Sequence, residues 1–323
     1  MTDPLRVGVL GCADIARRKM LPAMAREPGV ELVAVASRDT GRAARTAAEY
    51  GCRPVHGYAE LLDLPEVDAV YVPLPTALHA PWTRRALGAG KHLLSEKPLA
   101  TNAAEARELL AAARGAGRVL MENVMFVHHR QHAVVQKLVA DGAIGMLQSF
   151  TATFTVPRRP ADDIRYRADL GGGALLDMGI YPVRAAQLLV GSRLSVAGAV
   201  LHRDGSGEVD VAGAALLYAT PAGVTVQLDF GMDHAYRSAY ELCGSEGRVR
   251  VDRAFTPAAE EHPLLQVVRA GGPGGVTLEP HDQVAATVSS FVCACRGEVG
   301  TDGRACLHQA ALLDEIRRVA EGR

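Results

Sequence analysis

Residues 6–16 read Arg6-Val-Gly-Val-Leu-Gly-Cys-Ala-Asp-Ile-Ala16, an apolar strand pattern that ends in a glycine turn and continues directly as a helix pattern. Gly11 allows the tight turn, Ala13 keeps the backbone nearly bare, and the small Ala16 lets the helix pack closely on its strand. Free N–H groups at the start of such a helix can bind a pyrophosphate. A plain glycine turn gives the same pattern, and alanine replaces the usual middle glycine, so the surrounding sequence must decide.

The residues that follow the second strand indicate which dinucleotide would bind. In this fold the second strand ends about 20 to 25 residues after the glycine turn, in a residue that contacts the adenosine ribose. The segment Glu31–Ala36 fits that strand, and Ser37 and Arg38 follow it. Where an NAD enzyme usually has an acid, these residues offer a hydroxyl and a guanidinium that can bind a 2′-phosphate. We therefore predict NADP(H), the alternative being that Arg38 is an ordinary solvent-exposed arginine.

Length, composition and charge exclude several classes of protein. The 323 residues exceed the usual size of one core, and 48% hydrophobic residues are enough to form two. A net charge of −1 lacks the basic character of a nucleic-acid binder. No apolar run approaches the roughly 20 residues of a membrane span, and the N-terminal Met-Thr-Asp-Pro lacks the apolar core of a signal peptide. We expect a cytoplasmic protein whose six cysteines are reduced thiols.

Strand and helix patterns alternate through residue 122, which predicts an α/β domain with a doubly wound parallel sheet of the Rossmann type. The predicted strands of this dinucleotide-binding domain, residues 1–122, are Leu5–Leu10, Glu31–Ala36, Ala69–Val72, His92–Ser95 and Val119–Glu122.

The second half, residues 123–323, is predicted to be an α+β domain with an open, mostly antiparallel sheet, for substrate binding and oligomerisation. Its predicted strands alternate apolar and polar residues and are joined by Gly, Asp and Pro turns: Gln148–Thr155, Ser195–Leu201, Val211–Tyr218, Val224–Phe230, Ser238–Cys243 and Arg248–Val251. Helices over Gly173–Leu189, His281–Arg296 and Arg304–Glu321 are expected to cover one face of the sheet. The other face then needs a partner, which favours association of subunits through it.

Two motifs carry candidate catalytic groups. A strand leads into Glu96-Lys97-Pro98 at the carboxyl edge of the first sheet, the edge where ligands bind in open α/β folds. Asp177 and Tyr181 are four residues apart on the first helix of the second half, so they share one helix face. Taken alone, each of these side chains could also be a polar group of the core.

The glycine turn, the Glu-Lys-Pro motif and the Asp177-Met-Gly-Ile-Tyr181 motif occur in this order, and with them the chain resembles the Gfo/Idh/MocA oxidoreductase family over essentially its full length. Many members have histidine where this chain has Tyr181. With this tyrosine and the segments 71–79, 121–129 and 163–173, the chain is similar to the sugar-nucleotide 3-ketoreductases of antibiotic deoxysugar pathways. That resemblance implies NADPH-dependent reduction of the C-3 ketone of a dTDP-linked keto-deoxysugar, and assembly into homodimers or homotetramers through the open sheet.

The resemblance also implies roles for individual residues. Ketone reduction needs a proton donor and a group that stabilises the developing alkoxide. We expect Tyr181 to donate the proton, Lys97 to stabilise the alkoxide, and Asp177 to orient the lysine or bind a sugar hydroxyl. The predicted cofactor-binding residues are Gly11, Cys12, Ala13, Asp14, Ile15, Ser37, Arg38, Leu74, Pro75, His79, Glu96, Lys97 and Asn123.

The substrate diphosphate needs cations, and one loop supplies four arginines. The predicted substrate contacts from this loop are Arg158, Arg159, Arg165 and Tyr166, joined by His129 and Asp177, with Arg167 as a further candidate for the diphosphate. A solvent-exposed loop without a ligand would have the same composition. His128 and His132 are four apart, but no acid or cysteine completes a metal set, so no metal is predicted.

Two other functions remain open from the sequence. A related NADP-dependent dehydrogenase could act on a free sugar, a cyclitol or a dihydrodiol, for which the arginine loop would be unnecessary. A non-catalytic NADP-binding regulator could share the fold, but the presence of both Lys97 and Tyr181 argues against it.

Overall fold

The computed structural model describes residues 3–191, 193–203, 205 and 207–322. Residues 1 and 2, which enter the signal-peptide prediction, lie outside these ranges. The chain separates into two compact units: the first unit is Met1–Val124 with Val284–Cys306, and the second unit is Met125–Gln283 with Leu307–Arg323. None of the helices in the described ranges combines the length and apolar character that crossing a bilayer requires.

Fourteen strands are assigned in the described residues, in two sheets. The strands are β1 Leu5–Leu10, β2 Val30–Ser37, β3 Arg53–His56, β4 Ala69–Val72, β5 His92–Glu96, β6 Leu120–Asn123, β7 Leu147–Thr155, β8 Leu194–Arg203, β9 Asp210–Ala219, β10 Val224–Gly231, β11 Arg237–Gly244, β12 Gly247–Asp252, β13 Leu264–Arg269 and β14 Gly272–Thr277. The α-helices are α1 Leu21–Arg26, α2 Thr40–Tyr50, α3 Tyr58–Leu62, α4 Thr76–Gly88, α5 Ala103–Gly115, α6 Arg130–Ala140, α7 Ile180–Leu189, α8 Gln283–Cys295 and α9 Gly303–Ala320.

The first unit is built on six parallel strands in the order β3-β2-β1-β4-β5-β6. All of β4, most of β1 and β5 and the second half of β2 are buried, as expected of a parallel sheet covered on both faces by helices. The order reverses at β1, so the carboxyl ends of β1 and β4 border the crevice where such folds bind ligands. The predicted Rossmann sheet is confirmed, with β3 added: only Val55 of its four residues is buried, so it has no apolar run.

Capping residues explain where two helices of the first unit begin. Asp39 accepts a hydrogen bond from the backbone N–H of Arg42 at the start of α2, and Asn102 accepts one from Glu105 at the start of α5. Helix α2 ends at Gly51, whose left-handed φ of 64° closes the last turn. The predicted helix after the glycine turn begins as a π-helical turn, Ala16–Met20, before α1.

The structure divides the chain differently from the predicted boundary at 122/123 in one respect. Helix α8 belongs to the compact first unit, whereas the sequence analysis expected it to cover the second sheet. The helix is largely apolar, and a Cβ atom added to Gly29 would lie 2.9 Å from Val292 Cγ1, so α8 packs against the turn before β2. From its position in the chain, α8 is expected to pack with the second half. An apolar helix pattern predicts that the helix is buried, but it does not indicate which surface the helix packs against.

The second unit contains eight strands in the order β14-β13-β12-β11-β7-β10-β9-β8. Every neighbouring pair is antiparallel except β7 and β10, which are parallel. The predicted mostly antiparallel sheet is therefore confirmed. The two strands absent from the prediction, β13 and β14, end the sheet, and β14 is fully exposed and rich in glycine, so it carries no apolar alternation.

One face of this sheet packs against α7 and the π-helical turn Leu175–Gly179 that precedes it. Burial alternates along β9 and β10, which leaves a row of outward side chains on the other face. Large apolar side chains that remain exposed in the sheet include Val200, Leu216, Tyr218, Leu264 and Val276. All six cysteines are free thiols.

Candidate active site

The glycine turn after β1 has the geometry of a close backbone approach. Gly11 has a φ of 119°, which L side chains rarely adopt, and its N–H donates to Ala36 O at 2.9 Å. A Cβ atom at this position would lie 3.1 Å from Leu74 Cδ2, so a side chain would crowd the turn. Cys12 is buried, and its Sγ lies 3.8 Å from Arg42 O, while Ala13 is half-buried. The turn therefore leaves the bare backbone that a bound pyrophosphate requires.

The helix begins directly after this turn. Asp14 is exposed and forms a 2.7 Å ion pair with Arg17. This pair offsets the negative charge of Asp14 at the N-terminus of the helix, the end that would face a phosphate. Ile15 is half-buried and precedes the π-helical turn.

The end of β2 presents a basic surface. Ser37 is buried and its Oγ accepts from the N–H of Asp39 at 3.1 Å, whereas Arg38 is exposed. The Arg42 N–H bonded to Asp39 lowers the pKa of that carboxyl, which stays ionised as the cap of α2.

A pocket of about 260 Å³ is lined by Arg17 and by four residues of α2: Arg42, Arg45, Thr46 and Glu49. Arg42 was not assigned from the sequence, although it lies in the first turn of α2, four residues after Arg38, where a second basic side chain close to the end of β2 could have indicated it.

Lys97 follows a strand end that is fixed by buried hydrogen bonds. Glu96 Oε1 accepts from Tyr71 Oη and from Asn123 Nδ2, each at 2.6 Å. Burial raises the pKa of Glu96 against the opposing effect of these two bonds, and burial beside Glu96 raises the pKa of Tyr71 well above its usual value. The carboxyl ends of β4, β5 and β6 are thereby tied together, and Tyr71 is a member of this network that the sequence analysis left unassigned.

The loop that contains Lys97 and Pro98 is also held by His79. The fully buried ring places Nδ1 2.7 Å from Pro98 O and Nε2 2.6 Å from Leu74 O. Burial lowers the pKa of His79 despite both carbonyl contacts, and a neutral ring donates to one carbonyl only. Leu74 and Pro75 form the turn before α4, so His79 joins this turn to the Lys97 loop. Its place in the lining of the cofactor pocket stays a prediction.

Asn123 combines a satisfied donor with an unsatisfied acceptor. Its Nδ2 donates to Glu96, and within the described ranges its buried Oδ1 has no hydrogen-bond partner. Buried polar atoms usually have a partner, so this oxygen indicates a place for a ligand donor.

Tyr181 lies in the first turn of α7 and is enclosed by aromatic side chains. Its ring centroid lies 4.6 Å from that of Phe154, 5.7 Å from Phe255 and 5.9 Å from Phe126. All three phenylalanines are buried. Packing therefore fixes the orientation of the phenol ring. This enclosure could not be predicted from the sequence, since the three phenylalanines come from separate segments.

Asp177 lies in the π-helical turn before α7, and its Oδ2 accepts from Arg165 Nε at 2.6 Å. The Nη1 of the same guanidinium is 3.0 Å from Asp163 Oδ1. Arg165, predicted as a ligand of the diphosphate, is therefore already paired with two carboxylates.

The other predicted substrate residues lie on the exposed part of this loop. Arg158 forms an ion pair with Asp233 at 3.2 Å, and Arg167 forms one with Asp169 at 2.6 Å. No acidic side chain of the described chain lies within 4.0 Å of the Arg159 guanidinium, and Tyr166 Oη accepts from the Arg159 N–H at 3.1 Å.

His129 is a helix cap inside a cluster of rings. Its Nδ1 accepts from the Gln131 N–H at 3.1 Å at the start of α6, and its ring lies 5.1 Å from that of His281. Burial, with His281 nearby, lowers the pKa of His129 to about 4, so the ring is neutral near pH 7. Its buried Nε2 has no hydrogen-bond partner among the described residues. The contact of His129 with the substrate stays a prediction. Within the described ranges, no group of three or more His, Cys, Asp and Glu side chains is arranged to hold a metal.

Comparison with known proteins identifies the architecture. Residues 5–124 match the oxidoreductase family with an NAD-binding Rossmann fold, and residues 132–250 match the GFO/IDH/MocA C-terminal domain. The chain is 51% identical to a dTDP-3,4-didehydro-2,6-dideoxy-α-D-glucose 3-reductase of Streptomyces violaceoruber, over 98% of this chain and 95% of the relative. It is 50% identical to the enzyme of the same name from Actinomadura kijaniata, with the same coverage.

A solved structure agrees with these relatives. The 3-ketoreductase of Actinomadura kijaniata in complex with NADP and TDP-benzene superimposes with a TM-score of 0.96 at 48% identity, covering 98% of both chains. The resemblance inferred from the motifs is thus confirmed: the chain belongs to the Gfo/Idh/MocA oxidoreductase family.

Proposed function

We propose that this protein is a sugar 3-ketoreductase, which uses NADPH to reduce the C-3 ketone of a dTDP-linked 2,6-dideoxy keto sugar in the biosynthesis of an antibiotic deoxysugar. The observation that carries this proposal is the match over 98% of both chains to a 3-ketoreductase with NADP and TDP-benzene bound. The dTDP-sugar 3-reductases that share about half of their residues with this chain support the same substrate class.

The first unit fits a dinucleotide. The bare turn at Gly11 can receive the pyrophosphate, and the unpartnered Oδ1 of Asn123 can accept a hydrogen bond from the nicotinamide carboxamide. At the other end of the cofactor, Arg38 and Arg42 supply the positive charge that the 2′-phosphate of NADP requires. When bound, NADPH supplies the hydride that reaches the ketone carbon.

Tyr181 and Lys97 carry the protein's part of the chemistry in this proposal. As the ketone is reduced, its oxygen gains negative charge and needs a proton. Tyr181 donates its phenolic proton to that oxygen, and the Lys97 ammonium donates a hydrogen bond to it and favours the tyrosinate that remains. Asp177 orients Lys97 or binds a sugar hydroxyl. Solved structures of the Actinomadura kijaniata enzyme include variants of one lysine and one tyrosine, spaced along the chain as Lys97 and Tyr181 are.

We assign recognition of the diphosphate to the exposed part of the arginine loop. Arg159 has no acidic partner within the described ranges, and Arg158 is paired only with an exposed aspartate across 3.2 Å, which a phosphate can displace. Tyr166 supports the loop through its bond to the Arg159 backbone.

Two further features complete the proposal. The exposed face of the second sheet carries Val200, Leu216 and Tyr218, and we propose that a homodimer or homotetramer forms through it. Because dTDP-sugars and NADPH are multiply charged and do not cross a bilayer unaided, we place the reaction in the cytoplasm.

The test is an assay of NADPH oxidation with a dTDP-linked 3-keto sugar, measured against NADP+ reduction with free D-xylose and a trans-dihydrodiol, since these control substrates donate a hydride instead of accepting one. These controls represent more distant relatives, a D-xylose 1-dehydrogenase and a dihydrodiol dehydrogenase. We expect turnover only with the nucleotide sugar. We also expect that dTDP without an attached sugar protects the protein against thermal unfolding. At about 100 times its dissociation constant, dTDP should stabilise the fold by about 2.7 kcal/mol. Turnover of a free substrate without protection by dTDP would favour the alternative dehydrogenase, and no turnover of any substrate would favour a regulator.

A further inference from the structure

The side chain of Arg165 lies between two carboxylates of the second unit. Its Nε donates to Asp177 Oδ2 at 2.6 Å, and its Nη1 lies 3.0 Å from Oδ1 and 3.3 Å from Oδ2 of Asp163. Asp163 also accepts from the backbone N–H of Arg165 at 3.0 Å, which sets the short turn Ile164–Tyr166. The three residues form a chain of charge-assisted hydrogen bonds that connects Asp163 through Arg165 to Asp177.

This chain is more protected from solvent than the other ion pairs of the loop. The side chains of Arg165, Asp163 and Asp177 are 32%, 18% and 22% exposed, whereas Arg158 and Asp233 are 65% and 44% exposed. Two carboxylates around one guanidinium leave a net charge of −1, which repels a diphosphate. Burial lowers the pKa of Arg165, but Asp177 and Asp163 outweigh it and raise the pKa, so the arginine stays charged.

The backbone of the loop is anchored to the start of the helix that carries Asp177. The N–H of Gly173 donates to Arg165 O at 2.9 Å, and the N–H of Gly172 donates to Arg167 O at 3.0 Å. A Cβ atom at Gly172 would collide with the carbonyl group of Arg165, and Gly173 has a φ of 117°. The glycines therefore allow a close approach that brings the guanidinium to the first turns of the helix.

We propose that Arg165 is a positioning residue, which holds the Asp177 carboxylate in one orientation on the turn before Tyr181, and that Asp163 in turn fixes Arg165. This inference rests on the proposed function, in which Asp177 orients Lys97 or binds a sugar hydroxyl. It replaces the predicted role of Arg165 in binding the diphosphate. The expected consequence is that loss of Arg165 slows turnover while affinity for the nucleotide is kept.

The experiment compares the full-length wild type with Arg165→Gln, Arg165→Lys and Asp163→Asn. The matched control is Arg6→Gln, since Arg6 also binds an aspartate through two nitrogens and has similar exposure, 41%, at the start of β1. We expect Arg165→Gln to lower kcat about 100-fold, as misplaced catalytic groups do, with KM for the dTDP-keto sugar and Kd for dTDP changed less than about threefold. Arg165→Lys should recover part of kcat, Asp163→Asn should lose about 10-fold, and Arg6→Gln should keep wild-type kcat.

Several results would overturn the inference. A loss of dTDP affinity with kcat unchanged would make Arg165 a diphosphate ligand, and an equal loss of kcat in Arg6→Gln would make the effect structural. If the wild type is active and Arg165→Gln has the same kcat, the positioning role is refuted and the proposed function stands. If the wild type is inactive on every dTDP-keto sugar, the proposed function is refuted as well. Where Arg165→Gln does not fold, the kcat values of Arg165→Lys and Asp163→Asn decide, and wild-type rates in both refute positioning.

Discussion

Lys97 and Tyr181 are held in place by different kinds of interaction. The Lys97 loop is fixed by buried polar groups, with Glu96 bound to Tyr71 and Asn123 and with His79 bridging two carbonyls. The Tyr181 ring is instead fixed by three buried phenylalanines. Hydrogen bonds fix the direction in which a polar group points, and this constraint is lost when one partner is removed. Apolar packing instead constrains the ring of a tyrosine without changing the polarity of its hydroxyl.

The two largest effects are expected at the catalytic candidates Tyr181 and Lys97, and Tyr181→Phe tests the first of them. The substitution keeps the packing against the phenylalanines and removes only the hydroxyl, so turnover should fall by about 10²–10⁴ while Kd for NADPH is almost unchanged. Steady-state kinetics and cofactor fluorescence titration measure both quantities. Near-normal turnover would exclude Tyr181 as the proton donor and direct attention to His129 or Asp177.

Replacing Lys97 by alanine tests the polar region in the same way. We expect turnover to fall at least as far as in Tyr181→Phe, because the ammonium stabilises the charge that the tyrosine then neutralises. Since the proposed mechanism has both residues act on one oxygen, the double variant should lose far less than the product of the single losses. Fully multiplicative losses would show that Lys97 acts independently of the tyrosine.

A smaller effect is expected at the cofactor's other end. In the proposed complex Arg38→Ala removes a charge-assisted contact to the 2′-phosphate, worth about 1.5–3 kcal/mol, so affinity for NADPH should fall about tenfold or more. Affinity for NADH, which lacks that phosphate, should stay constant in the same titration. An equal loss for both cofactors would mean that Arg38 supports the fold.

The last prediction concerns the pH dependence of stability and leaves turnover aside. Burial, with His129 nearby, lowers the pKa of His132 to about 3, and burial beside Arg184 lowers that of His128 to about 4. Between pH 4 and 6.5 the unfolded chain therefore binds protons that the folded chain does not, so stability falls on acidification by up to about 1.4 kcal/mol per pH unit for a fully buried histidine.

Chemical denaturation at several pH values measures this dependence. In His132→Gln the slope of the unfolding free energy against pH should decrease by the equivalent of about one bound proton. The control His92→Gln should change the slope less, since His92 is only half-buried and the downward shift of its pKa is smaller. An unchanged slope in His132→Gln would show that His132 is already charged in the folded protein.

Much of the fold could be predicted from the sequence because strand periodicity and glycine turns are local signals. The strands β3 and β14 lack apolar alternation, and the surface covered by α8 is set by distant residues, so local patterns could not assign them. The catalytic candidates Lys97 and Tyr181 stand in short motifs. Their surroundings come from separate segments, which is why the aromatic enclosure and the carboxylates around Arg165 became visible only in the structure.

The most direct test of the central claim is the transfer of deuterium from NADPH labelled at C4 of the nicotinamide to a dTDP-linked 3-keto-2,6-dideoxyhexose, with the product examined by NMR. The account predicts one deuterium at C-3 of the sugar, transferred by the wild type and lost with turnover in Tyr181→Phe. Deuterium at C-4, or equal transfer to a sugar without the nucleotide, would contradict it.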